Sequence, residues 1–164
     1  MSTPQLGTQT AAARRVADAH VRELVARVAP GRERLIATMR RSLRKRLPTA
    51  HELVYEYKSW MVISFSPNEN GYDGLLAIRA DADSVDLYFN HGKEMPDPEK
   101  LLQGSAKLVR LIPIEGASTL TRPAVATLIE AAIARNRLPF ARTGLGSVVI
   151  RSAAAKKPNR RRPA

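Results

Sequence analysis

The chain has 164 residues, no cysteine, 44% hydrophobic residues and a formal net charge of +12. That length fits one domain with tails, and that apolar share can fill a core. The lack of cysteine excludes disulfides and Cys-based zinc, iron–sulfur and thiol chemistry.

The charge is uneven. Residues 1–50 carry eleven basic against three acidic side chains, 51–100 carry four against ten, and 151–164 carry six basic and no acidic ones. A uniformly basic nucleic-acid groove does not fit that pattern, although both ends could meet polyanions. The opening "MSTPQLGTQT" has no charged region leading into an apolar core, so it does not read as a secretory signal. No apolar run approaches the roughly 20 residues of a membrane span. The expected setting is the cytoplasm, with no membrane partner.

Residues 1–9 are small and polar and read as disordered. From about Thr10, Ala17, Val21, Leu24, Val25 and Val28 recur at helical spacing until Pro30-Gly31. A second helix fits Arg32 to Leu47, with Leu35, Ile36, Met39, Leu43 and Leu47 as its stripe and Pro48 as its stop. The period then changes. "HELVYEYKSW" alternates His51, Leu53, Tyr55 and Tyr57 against Glu52, Val54, Glu56 and Lys58, as a half-buried strand does. "MVISFS" reads as a second strand before the turn-rich "PNENG". "GLLAIRA" and "SVDLYFN" flank Asp81–Asp83 as a hairpin.

In "KEMPDPEKLLQGSAKLVR", Pro96 and Pro98 oppose regular pairing because proline lacks an N–H. "DPEKLLQG" fits a short helical turn with Asp97 as cap and Gly104 as exit. "AKLVRLIPI" reads as another strand, Pro123 to Asn136 as a helix, and "GSVVIRS" as a possible short strand. The order predicts α+β: an antiparallel sheet of about five strands covered by two N-terminal helices and one C-terminal helix. The domain is placed at 10–150, with a basic flexible tail at 151–164.

The stretches "VDLYFNHGKEMPDPEKLLQGSAKLVRLIPIEG" and "RPAVATLIEAAIA" resemble the YdhG-like domain family. Its pattern is an aromatic-rich strand, Leu/Met-Pro-Asp-Pro, then Leu-Leu-x-Gly-Ser-Gly-Lys-x-Val-Arg, then a closing helix. Met95, Pro96, Asp97, Pro98, Leu101, Leu102, Gly104, Ser105, Lys107, Val109 and Arg110 match it, and Ala106 departs from its glycine. "ELVYE" at Glu52–Glu56 also matches, and the likeness covers about Leu47 to Arg162. The resemblance implies a compact α+β domain and brings no catalytic residues to carry over. Part of the wider family is described as frataxin-like with a suggested role in iron handling, an attribution that does not come from this motif.

A small-ligand site is expected near the loop Asn90–Asp97 and the strand start, using His91, Lys93, Asp97, Gly104, Ser105, Lys107 and Arg110. One glycine before a strand is no phosphate loop. Lys107 and Arg110, three apart, would face opposite sides of an ideal strand. The simpler reading is that Gly104 supplies a special backbone angle. Asp81, Asp83 and Asp86 offer oxygen ligands for a hard metal, against the plainer reading that turn aspartates bond nearby backbone. His20, His51 and His91 lack metal-binding spacing, and no serine occupies a nucleophile elbow. The expected function is therefore a non-catalytic ligand- or metal-binding accessory module, with no cofactor assigned. The alternative is nonspecific nucleic-acid association through Arg40, Arg41, Arg44 and Lys45 of the second helix and Lys156, Lys157, Arg160, Arg161 and Arg162 of the tail.

Overall fold

A computed structural model of the chain describes residues 9–152. Two helices come first, α1 (Ala11–Val28) and α2 (Glu33–Arg46). Five strands follow: β1 (His51–Glu56), β2 (Trp60–Ser66), β3 (Leu76–Asp81), β4 (Val85–Phe89) and β5 (Arg110–Pro113). Then come a short α3 (Ala117–Thr121), α4 (Pro123–Ala134) and a last strand, β6 (Val148–Ser152). The fold is α+β, as the order of periodic segments predicts.

The helix boundaries follow local chemistry. The Thr10 hydroxyl accepts a hydrogen bond from the Ala13 N–H at 3.0 Å and starts α1. Both N-terminal helices turn their apolar stripes onto the sheet, burying Val21, Leu24, Val25 and Val28 from α1 and Ile36, Met39 and Leu43 from α2. Pro123 takes the first position of α4, where a missing N–H is no loss.

The sheet has six strands in the order β5-β4-β3-β2-β1-β6. Strands β1 to β5 form an antiparallel meander, but β6 pairs with β1 in parallel. This corrects the expectation of a five-stranded, purely antiparallel sheet. The reason is topological. The helical layer carries the chain back along the sheet, so β6 runs in the direction of β5, which is also that of β1. Two further corrections concern the middle. "DPEKLLQG" forms no helix, because Lys100 adopts a left-handed φ of 55° and ends the turn. Of "AKLVRLIPI", only Arg110–Pro113 is strand.

The end assignments also shift. Gln9 is not loose: its side-chain amide donates to the Val148 carbonyl at 2.8 Å and accepts from the Val148 N–H at 2.9 Å, pairing the outer edge of β6. Arg151 and Ser152 belong to that strand rather than to the tail. The other expectations for the two ends, at residues 1–8 and 153–164, lie outside the described residues.

One face of the sheet carries the helices and the core. Phe65, Ile63, Leu76, Ile78, Leu87 and Phe89 point into it and are at most 1% exposed. Register places Glu52, Val54 and Glu56 on that same face and His51, Leu53 and Tyr55 on the other. Among the described residues, no helix covers the second face. The loop 67–75 folds over one end of it, held by Arg151 Nη2 donating to the Glu69 carbonyl at 2.5 Å and Asn90 Nδ2 to the Gly74 carbonyl at 2.6 Å. The rest shows half-buried Tyr55, Trp60 and Tyr88. The aromatics therefore divide. Phe65 and Phe89 are core, Tyr72 is 93% exposed, and Tyr57 stacks on Trp60 at 3.8 Å beneath the Arg79 guanidinium, 4.9 Å from the Trp60 ring.

Candidate ligand-binding site

The 95–110 segment uses most of its special residues to hold its own shape. Asp97 Oδ1 accepts from the Leu101 N–H at 2.9 Å and Oδ2 from the Leu102 N–H at 2.8 Å, so both carboxylate oxygens are engaged. Gly104 has a φ of +117°, the special backbone angle expected of it. Arg110 folds back, donating from Nη1 to the Ala106 carbonyl at 2.6 Å and the Val109 carbonyl at 2.8 Å. Lys93, Ser105 and Lys107 are exposed. These residues form a built connection, and only His91 of the expected ligand set reaches a cavity.

That cavity, about 590 Å³, lies where the C-terminal end of α4 meets the loops at residues 72–75 and 90–95. Its buried lining is apolar: Leu75, Phe89 and Ala132, with half-buried Met95. Polar groups converge on it from three segments: Asp73; Asn90, His91 and Glu94; and Arg135 to Arg137. Arg135 Nη2 donates to the Glu94 carbonyl at 2.9 Å and ties two of its walls together. Asp73 accepts from Asn68 Nδ2 at 3.0 Å. Arg137 makes no ion pair among the described residues. Exposed Tyr72 and Leu138 stand at the mouth. Two guanidinium groups, an imidazole and two carboxylates around an apolar floor can orient a small amphipathic molecule.

The expected metal ligands do not assemble. Asp81 Oδ1 accepts from the Asp83 and Ser84 N–H groups at 2.8 and 2.9 Å, and Oδ2 accepts from Arg79 Nη1 at 2.5 Å. The Arg79 hydrogen bond holds the Asp81 carboxyl down at about 2, despite some burial and helped by the two backbone N–H groups. Asp86 lies across from Arg79 on the helix-free face, and burial pushes its carboxyl above the ordinary range. Among the described residues, no three His, Asp or Glu side chains are placed to share a metal ion.

The second helix holds the arrangement that sequence reasoning missed. Arg40 is 8% exposed, donating from Nε to Glu52 Oε1 at 3.0 Å and from Nη2 to Asp18 Oδ1 at 2.8 Å. Arg44 bridges the same two acids, with Nη2 2.9 Å from Asp18 Oδ1 and Nε on Glu52 Oε2. Glu52 is 1% exposed. Burial alone would raise the Asp18 carboxyl, but the hydrogen bonds from Arg40 and Arg44 outweigh it and hold the group below its usual range. Burial works against the charge on Arg44 too, and Glu52 and Asp18 overcome it. Arg40 and Arg44, expected as nucleic-acid contacts, are here engaged in an internal ion network. Of that set, the exposed described cations are Arg41 and Lys45, and the tail residues lie outside the described range. The one available signal was a buried-strand acid, Glu52, set against arginines at helical spacing.

No family model, curated protein or solved structure matches this chain. No helix among the described residues is long and apolar enough to cross a membrane.

Proposed function

We propose that this chain is a YdhG-like, non-catalytic module that binds a small organic ligand in the cavity at the end of α4, and that it works in the cytoplasm. One observation carries the reading: an apolar-floored cavity of about 590 Å³ on which charged and polar side chains from three separate segments converge. That volume falls in the range of about 300–1,000 Å³ typical of small-molecule sites. The likeness to the family supports a shared architecture. Its Met-Pro-Asp-Pro and Leu-Leu-x-Gly residues build the connection between β4 and β5, and the turn opening that connection supplies one cavity wall through His91 and Glu94.

The ligand that fits has an apolar body against Phe89 and Ala132 and an anionic group reaching Arg137. Thermal-shift screening of small organic acids against the wild type and a His91→Ala/Arg137→Ala double variant tests this. Ligands that stabilise the wild type should lose most of their effect in the variant. An unchanged shift in the variant would exclude this cavity as the site.

A further inference from the structure

We propose a second binding site, for an oxyanion carried on an apolar body, in the cleft between the C-terminal end of α2 and the loop after α4. The cleft, about 390 Å³, is lined by Arg46, Ile133, Asn136, Phe140 and Arg142 among others. It does not rest on the reading of the first cavity, although Asn136 lines both.

Arg46 carries the argument. Its Nε lies 3.0 Å from Glu130 Oε2, which fixes the guanidinium between α2 and α4. Its Nη1 is buried and has no acceptor among the described residues. Native proteins leave few buried donors without a partner, and a charged donor is the costliest to leave so. Glu130 is already engaged at Nε, so Nη1 calls for an acceptor beyond the described residues. The Thr49 hydroxyl donates to the Ala141 carbonyl at 2.7 Å and holds the loop bearing Phe140 and Arg142 against the cleft. Arginines from two different elements thus line one cleft beside an apolar wall of Leu47, Ile133 and Phe140. A guanidinium fork matches a carboxylate or a phosphate, and the apolar wall suits a flat or aliphatic body.

The test titrates full-length protein with phenyl phosphate, benzoate and inorganic phosphate, followed by calorimetry and by NMR of the arginine side-chain N–H signals. Saturable binding of phenyl phosphate or benzoate is expected, with the tighter of the two assigning the oxyanion and inorganic phosphate binding more weakly than phenyl phosphate. In a His91→Ala/Arg137→Ala background, which removes the first cavity's polar contacts, Arg46→Gln and Arg142→Gln should each weaken it by about tenfold or more. Arg142 is exposed, so its variant stays informative if Arg46→Gln disturbs folding. No saturable binding at millimolar ligand, equal binding of phenyl and inorganic phosphate, or binding unaltered in Arg142→Gln would each overturn the site.

Discussion

Glu52 shows how one residue can carry more than its place in a pattern suggests. In the sequence it alternates with apolar neighbours, and either set of β1 side chains could have faced the core. The structure selects the set containing Glu52, because Arg40 and Arg44 descend from α2 to meet it. In sequence the arginines read as candidate nucleic-acid contacts on the second helix. Removing Glu52 leaves the buried Arg40 guanidinium with Asp18 alone, a loss of up to about 3–5 kcal/mol. Glu52→Ala should therefore lower the urea midpoint sharply. Replacing Glu52 and Arg40 together with apolar residues should cost less than the sum of the single changes.

His51, its neighbour, faces the opposite side of β1. Its Nδ1 accepts from the Ser147 N–H at 3.1 Å, which requires that nitrogen to be unprotonated. Burial lowers its pKa, and the Glu69 carboxylate, 3.9 Å away, opposes the shift only in part. With the folded pKa below the unfolded value of about 6.5, protonation favours the unfolded chain. Stability should be full above that pH and decline as pH falls through it toward the folded pKa. Urea unfolding at pH 8 and pH 5 should show a larger loss in the wild type than in His51→Gln. Equal losses would remove His51 from the pH response.

The elements themselves were the most legible part of the chain, because each has a clear period and chemical stops. The pairing of β6 was not legible. "GSVVIRS" shows a strand but not its neighbour, and its direction follows from where the helical layer returns the chain. The glycine before it proves to be the joint. A Cβ on Gly146 would lie inside contact distance of the Ala50 carbonyl and 2.7 Å from the His51 nitrogen, where backbone cannot yield cheaply. The Gly146 carbonyl also receives Arg14 Nη1. Gly146→Ala should destabilise the protein by about 1–3 kcal/mol or more. Hydrogen exchange should rise first at Val148–Ser152 and along β1. Unchanged exchange there would show that β6 docks independently of this contact. The "DPEKLLQG" turn teaches the converse. Asp97 caps as its position predicts, yet no helix follows, because Lys100 turns left-handed within the next three residues.

At the scale of the whole molecule, helices cover one face of the sheet, while loops and half-buried aromatics finish the other. The sequence carried the idea of a loop site at Asn90–Asp97 but not the cavity, whose walls come from residues 72–75, 89–95 and 132–138. Only folding brings those stretches together. It also occupies the Arg110 guanidinium with the Ala106 and Val109 carbonyls and leaves Lys107 exposed, away from the cavity. The proposed function turns on that cavity being a binding site. Native mass spectrometry of the full chain, purified from its own cells as the wild type and as His91→Ala/Arg137→Ala, tests it most directly. The wild type should carry a bound small organic molecule that the variant lacks. A wild type without any bound molecule, or a variant that retains it in the same proportion, would contradict the account.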